Sequence, residues 1–330
     1  MHTIRHLFEH RGMVLMYHRI ADVVMDPWDL TVSPENFEQQ IQLLTKNYKV
    51  ISILELINHL QQKNLPANSV CITFDDGYTD NYLFAKPILE KYNCPATLFI
   101  PSQFIGQEHP FWWEELEAIL LTAPQLPQLF QMSMQDDTFE FDLEADAVLT
   151  NEQLTKHRGW RWPASAPTRR CALYVTIWEQ LKSLPFPEIE AAINEVKTWA
   201  GFQPVFSNTQ LPMRKEQLAA LAQHPLFDIG LHTDTHPALA YHTEDVQYFE
   251  LAENKKKLQP YRPINAIAFP YGNYNNSTIA VLKKQRLDAG FTTEAKNITN
   301  NTNLHCIGRF QVRNANGTLF EKQLHQWLKA

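Results

Sequence analysis

Residues 70–74, Val-Cys-Ile-Thr-Phe, form an apolar run that stops abruptly at Asp75-Asp76-Gly77-Tyr78. A short run of this composition reads as a buried β-strand. A strand interior does not hold two adjacent carboxylates cheaply, so the chain must be turning where they occur. Along a regular strand the two side chains would point to opposite faces. At a turning strand end both can reach one cleft, one as a metal ligand and the other as a base. Taken alone, Asp-Asp-Gly is an ordinary polar turn. The rest of the chain decides otherwise.

The same arrangement recurs along the sequence. His18 follows the apolar run 13–17, His232 follows 227–231, and Pro270-Tyr271-Gly272 follows 266–269. Helical patterns separate these runs. Ser33 suits an N-cap and Pro34 a first helical position, with Phe37, Ile41 and Leu44 at helical spacing. Ser52 opens a second helix carrying Leu54, Leu56, Ile57 and Leu60. Further helices are expected near 81–92, 244–258, 277–286 and 319–328, and further strands at 48–51, 96–100, 290–293 and 306–312. Alternating strands and helices indicate an α/β fold with a mostly parallel sheet. In a parallel barrel, polar residues directly after the strands converge on one rim. An open sheet would gather only those beside its switch point. The barrel is the better reading.

Between about 103 and 206 the rhythm breaks. Aromatics cluster (Phe111, Trp112, Trp113, Trp160, Trp162, Trp178, Trp199), and helical runs at 113–121 and 189–199 lack strand partners. Only 139–143 alternates like a strand, as one arm of a small hairpin. The strand–helix pattern resumes afterwards, so the expectation is a single domain over 1–330 with a mainly helical, aromatic-rich insertion at about 103–206. Its tryptophans read first as packing, with a lid or acceptor groove beside the barrel rim as the alternative.

Composition narrows the partners. The formal net charge is −7 without a basic stripe, which argues against nucleic acid. No apolar run approaches the ~18 residues of a membrane span. The first eleven residues lack the apolar stretch of a secretory signal. Cys71, Cys94, Cys171 and Cys306 show neither metal-type pairing nor a disulfide framework. Buried reduced thiols and a cytoplasmic location are expected. Oligomeric state is not legible.

His232-Thr233-Asp234-Thr235-His236 carries two imidazoles four residues apart, a spacing that puts both on one face of a helical turn. A metalloprotease helix would need Glu where Thr233 stands. Adding Asp76 gives a His₂Asp set with room for water and substrate, the usual layout of a catalytic zinc site. Such mixed ligation also accepts other first-row divalent ions. Asp75 would then be the base acting on water activated by the ion, and the backbone N–H of Tyr271 would face the developing oxyanion. Asp75-Asp76-Gly77 lacks the alternating oxygen ligands and terminal Glu of a calcium loop.

Thr73-Phe74-Asp75-Asp76-Gly77-Tyr78, the 232–236 segment and Phe269-Pro270-Tyr271-Gly272, in that order, resemble the polysaccharide deacetylases, metal-dependent carbohydrate esterases of family 4. The resemblance covers roughly 13–105 and 210–312. It implies a distorted (β/α) barrel with fewer than eight parallel strands, and removal of N-acetyl groups from amino sugars in a glycan or glycolipid. Carried over, Asp75 is the base, Asp76, His232 and His236 are the metal ligands, and Tyr271 supplies the oxyanion N–H. Two positions depart from the pattern. An arginine that braces the catalytic Asp in many members is replaced by Ala268, and Arg309 is the candidate to take over that contact. The C-terminal leucine–histidine motif is matched only loosely by Leu304-His305. Leu15-Met16-Tyr17-His18 resembles the branch whose N-terminal Tyr-His supplies the acid, so His18 ranks above His305 as proton donor to the leaving amine. Two other readings remain at this point: a non-catalytic carbohydrate-binding protein on the same scaffold, and an amidohydrolase acting on a non-sugar amide.

Overall fold

The computed structural model describes residues 11–134 and 137–328. Residues 1–10, on which the expectation of no signal segment mainly rests, lie outside them. Among the described residues, seven parallel strands form the main path of one eight-stranded sheet: β1 (Gly12–Tyr17), β2 (Ser69–Phe74), β3 (Ala96–Ile100), β4 (Phe227–Leu231), β5 (Ala266–Ala268), β6 (Ala289–Phe291) and β7 (Phe310–Gln311). Their order across the sheet is β6-β5-β4-β3-β2-β1-β7, and Lys49–Val50 pairs alongside β2. Every pairing along this path is parallel.

The two outer strands are joined through one short stretch of chain. Ile307 bridges to Phe291 of β6, its N–H donating to Gly290 O and its carbonyl accepting from Thr292 N–H, both at 2.8 Å. Three residues later Phe310 pairs with Leu15 of β1. The sheet therefore curls into a distorted barrel, as expected. This switch of partner also explains why the strand expected at 306–312 is only Phe310–Gln311: no single ladder runs along it.

Alternation along the strands divides the core in two. Met13, Leu15, Tyr17, Val70, Ile72 and Phe74 share a cluster with Phe37, Ile41 and Leu44 of helix Pro34–Asn47. Val14, Cys71, Phe99, Ala268 and Phe291 belong to another, together with Ile53, Leu56, Ile57 and Leu60 of helix Ile53–Gln62. Both helices start at the serines read from the sequence. Ser33 accepts from Asn36 N–H at 3.3 Å, and Ser52 forms a capping box with Glu55 at 3.1 and 2.8 Å. Gly230 of β4 permits a close approach, since a Cβ there would lie 2.4 Å from the Phe99 ring. The helix expected over 81–92 begins instead as a π-helical turn, Asn81–Ala85, before Lys86–Lys91.

The chain divides into two compact units. The barrel belongs to the first, comprising residues up to 22, 30–107 and 212 onward. The second comprises 23–29 and 108–211, against the 103–206 read from the sequence, which did not assign 23–29 to it. It contains helices Trp112–Thr122, Asn151–Gly159, Arg169–Leu181 and Phe186–Ala200, and an antiparallel pair, Leu129–Met134 with Asp137–Asp142. Trp28 ties the short segment to the rest of that unit. Its ring lies 4.1 Å from that of Trp178, and its indole N–H donates to the Tyr174 hydroxyl at 2.6 Å.

Candidate active site

The β1–β2 ladder runs one residue past the strand end, where Asp75 N–H donates to Tyr17 O at 3.0 Å. The backbone then turns through two left-handed residues, Asp76 (φ +68°) and Gly77 (φ +72°). Asp tolerates this region better than most side chains, and Gly enters it freely. At Gly77 a Cβ would also lie 2.8 Å from Ile100 Cδ1. The turn gives the two adjacent carboxylates separate partners.

Asp75 meets Arg309. The guanidinium donates from Nη1 to Oδ1 and from Nη2 to Oδ2, each at 2.7 Å, and from Nε to Thr292 O at 3.0 Å. Arg309 is fully buried, which makes this paired fork a strong, directional contact. Burial pushes the Asp75 carboxyl up, but the charges of Arg309 and His232, the Arg309 hydrogen bonds and His18 outweigh it, and its pKa is lowered overall. Asp75 is thus ionised at neutral pH. His18 Nε2 lies 4.0 Å from Asp75 Oδ2.

Asp76 faces two imidazoles. Its Oδ1 is 3.4 Å from His232 Nε2 and 3.2 Å from His236 Nε2, and all three residues are buried. Burial raises the Asp76 carboxyl, yet the adjacent His232 and His236 imidazoles more than offset this and hold it well below the usual range. For His236, burial is the largest influence and lowers the imidazole pKa despite Asp76. A neutral ring keeps a lone pair for ligation.

The 232–236 segment is not the helical turn expected from the spacing. Thr233 (φ +63°) and His236 (φ +64°) are left-handed, so the segment is an irregular loop. Side-chain bonds hold it in place of a helical ladder. Thr233 Oγ1 accepts from His236 N–H at 3.0 Å. Glu250 accepts from Asp234 N–H, Thr235 N–H and the Thr235 hydroxyl at 2.8–3.0 Å. Asn254 accepts from His232 N–H at 3.1 Å and donates to Ile100 O at 3.0 Å. Asp234 pairs with Lys257 and accepts from the Ser102 hydroxyl at 2.7 Å. The sequence reading missed Glu250 and Asn254. Their signal was a polar stripe, Gln247-Glu250-Asn254, at helical spacing on Glu244–Leu258, and all three are buried.

These residues fit a divalent ion. His232 Nδ1 lies 2.8 Å from Ala268 O; a carbonyl only accepts, so the proton sits on Nδ1 and the Nε2 lone pair faces Asp76. Ligands about 2.1 Å from a tetrahedral ion stand roughly 3.4 Å apart. The separations of 3.2 and 3.4 Å agree with that, and the three donor atoms lie within 4.8 Å of one another.

Tyr271 (φ +57°) sits in the turn Pro270–Gly272, with its ring 4.6 Å from that of His236. Gly272 is required there: its φ is +64°, and a Cβ would lie 2.0 Å from Thr293 Oγ1. Asp75, Asp76, His18, His232, His236, Tyr271 and Arg309 are thus brought together. His305 is held elsewhere, with Nε2 at 3.3 Å from Leu287 O, and none of its contacts among the described residues involves Asp75 or Asp76.

A polysaccharide deacetylase sequence profile matches residues 62–173 and 188–290, well over half of the chain. Poly-β-1,6-N-acetyl-D-glucosamine N-deacetylase of Staphylococcus aureus is 23% identical across 97% of this chain and 83% of its own length. A Bacillus subtilis protein named for polysaccharide deacetylation, YxkH, is 38% identical over 143 residues, 42% of this chain and 46% of that protein. The match thus spans about half of one relative and most of the other. Among solved structures, the Streptococcus pyogenes deacetylase PplD in complex with acetate superposes with a TM-score of 0.54 at 20% identity, covering 98% of this chain and 100% of that one. A de-N-acetylase from Aggregatibacter actinomycetemcomitans gives 0.54 at 18% identity, covering 95% and 99%. At these identities the structural likeness is one of fold. The extent of the profile match, which includes the Asp75–Asp76 turn and the 232–236 loop, makes the chain a member of the polysaccharide deacetylase family, the carbohydrate N-deacetylases.

Proposed function

We propose that the protein removes N-acetyl groups from a β-linked poly-N-acetylglucosamine chain, using Asp75 as general base and His18 as general acid. Asp76, His232 and His236 would hold one divalent cation, with zinc the first choice for a His₂Asp set. Bound there, it would supply Lewis acidity for activating water and polarising the acetamide carbonyl. The carrying observation is the division of labour between adjacent carboxylates: Asp76 points at two imidazoles, and Asp75 is held by Arg309 at 2.7 Å on both oxygens.

Asp75, ionised and fixed by Arg309, accepts a proton from the attacking water. The Tyr271 N–H donates to the carbonyl oxygen as negative charge develops there. Carbon–nitrogen cleavage then requires a proton on the departing amine, and His18, 4.0 Å from Asp75, is the donor. The water oxygen leaves in acetate, and the sugar retains a free amine. Tyr17-His18 fits the family branch with an N-terminal Tyr-His motif on the same geometry. The substrate class is supported by the S. aureus relative, aligned over nearly the whole chain.

The same reading takes the second unit as an insertion into one catalytic domain, since the chain leaves the first unit at 107 and returns at 212. It also takes a cytoplasmic location, supported by four cysteines outside any disulfide and tested by cell fractionation. The function is tested by acetate release from poly-β-1,6-N-acetylglucosamine after chelation and reloading with zinc. Activity should vanish with the metal and return with it. His236→Ala should bind zinc at least 100-fold more weakly and release acetate at least 1,000-fold more slowly. Full activity after exhaustive chelation would refute the reading.

A further inference from the structure

An imidazole that delivers a proton needs a fixed orientation, and catalytic histidines usually obtain it from a carboxylate or carbonyl on the second ring nitrogen. His18 lacks that support. Its Nδ1 is buried without a hydrogen-bond partner among the described residues, and Nε2 at 4.0 Å from Asp75 is beyond hydrogen-bond reach. The ring must therefore be aimed through its backbone. That backbone is gripped on both sides by one short segment. Asn81 Nδ2 donates to His18 O at 2.8 Å. Asp80 Oδ1 accepts from Ile20 N–H at 3.1 Å, and Asp80 Oδ2 accepts from Arg19 Nε at 3.0 Å. The Arg19 guanidinium also lies over the Tyr78 ring, 4.7 Å from its centroid. Asn81 Nδ2 donates to Asp80 Oδ1 at 2.8 Å, locking the two gripping side chains together. Asp80 is fully buried, and Asn81 and Arg19 nearly so.

We propose that Asp80 and Asn81 are positioning residues for His18, so that the turn carrying the base and a metal ligand also sets the aim of the acid. The gripping residues follow Asp75 and Asp76 by only a few positions. They occupy the start of the π-helical turn Asn81–Ala85, a geometry that recurs at functional sites. A simple loop staple could have used backbone partners alone. Here two buried polar side chains converge on residues 18–20 and on each other.

The inference rests on His18 being the acid, and a double-mutant cycle separates the two ideas. His18→Ala, Asn81→Ala and the double variant are assayed for acetate release from poly-β-1,6-N-acetylglucosamine, with zinc affinity measured by competition. Asn81→Leu, which keeps the shape without the donor, serves as a second variant should the alanine protein not fold. Asn81→Ala is expected to lower kcat about 10- to 30-fold, with KM and zinc affinity within about threefold of the parent. The double variant should be no slower than His18→Ala alone. Asp80→Asn, which keeps the acceptor for Ile20 N–H and loses the charge facing Arg19, should fall between Asn81→Ala and the parent. Multiplying losses in the double variant, or an unchanged kcat in both Asn81 variants, would overturn the proposal. An unchanged kcat in His18→Ala would instead remove the acid itself, and with it the reading on which the proposal stands.

Discussion

Both units of the molecule bury an arginine completely, and the two are used in opposite ways. In the second unit, Arg170 donates to four backbone carbonyls, Asp146 O, Leu120 O, Ala123 O and Ala147 O, at 2.6–3.3 Å. In the first, Arg309 spends both terminal nitrogens on one side-chain carboxylate. Their histidines differ in the same sense. His157 has both ring nitrogens occupied, by Leu121 O at 2.9 Å and Thr168 Oγ1 at 2.8 Å. His232 ties down one nitrogen and turns the other toward Asp76. Buried polarity that is satisfied locally holds a fold together, whereas buried polarity with one face left toward a shared space can do chemistry. Burial alone would not have separated the two arginines.

The comparison is tested hardest at Arg309. Arg309→Met should lower kcat about 100- to 1,000-fold, roughly 3–4 kcal/mol in the barrier, while affinity for an added divalent metal stays within about threefold of the parent. The pH dependence gives a sharper readout. With Arg309 removed, the Asp75 pKa rises from its value in the parent, because the guanidinium is the foremost influence lowering it. The acidic limb of kcat/KM against pH should therefore move to higher pH. A limb that stays in place would mean that the base is not the carboxylate Arg309 holds.

Arg170→Met should behave differently. It strands several buried carbonyls, a change worth about 2–4 kcal/mol of stability, and should lower the melting temperature by several degrees. Zinc affinity and kcat per folded molecule should remain within twofold. A kcat loss comparable to that of Arg309→Met would abolish the distinction between the two arginines.

Much of the first unit was legible because apolar runs and the residues just after them report strand ends directly. Asp75, Asp76, His18 and Tyr271 were found this way, and Arg309 followed from the missing arginine at Ala268. What stayed hidden depends on contacts distant in sequence. The His232–His236 spacing suggested a helix, but four residues can also converge through left-handed backbone at Thr233 and His236 when Glu250 and Asn254 hold the loop. The place of 23–29 in the second unit depends on Trp28 meeting Tyr174 and Trp178, which no local pattern announces. The strand expected at 306–312 is shorter in the structure because apolar alternation does not reveal that Ile307 and Phe310 serve different partner strands.

The smallest effect expected is at Asp228 in β4, a carboxylate that the proposed chemistry does not use. It stands in register with Thr97 of β3, whose hydroxyl is buried without a partner among the described residues. Burial first, and the nearby charge of Glu55 second, push the Asp228 carboxyl up to about 6. In the unfolded chain the same group titrates near 3.9. Between these values the folded protein binds more protons than the unfolded one, so stability falls as pH rises from about 4 to 6 and then levels off. Asp228→Asn removes that dependence. After allowance for solvent screening of a partly exposed group, it should stabilise the protein by about 1 kcal/mol at pH 7–8, with the gain vanishing near pH 4. Thermal melts of parent and variant across that range measure it directly. A gain that persists at pH 4 would point to repacking against Thr97, and the ionised carboxylate would not then be the source of the strain.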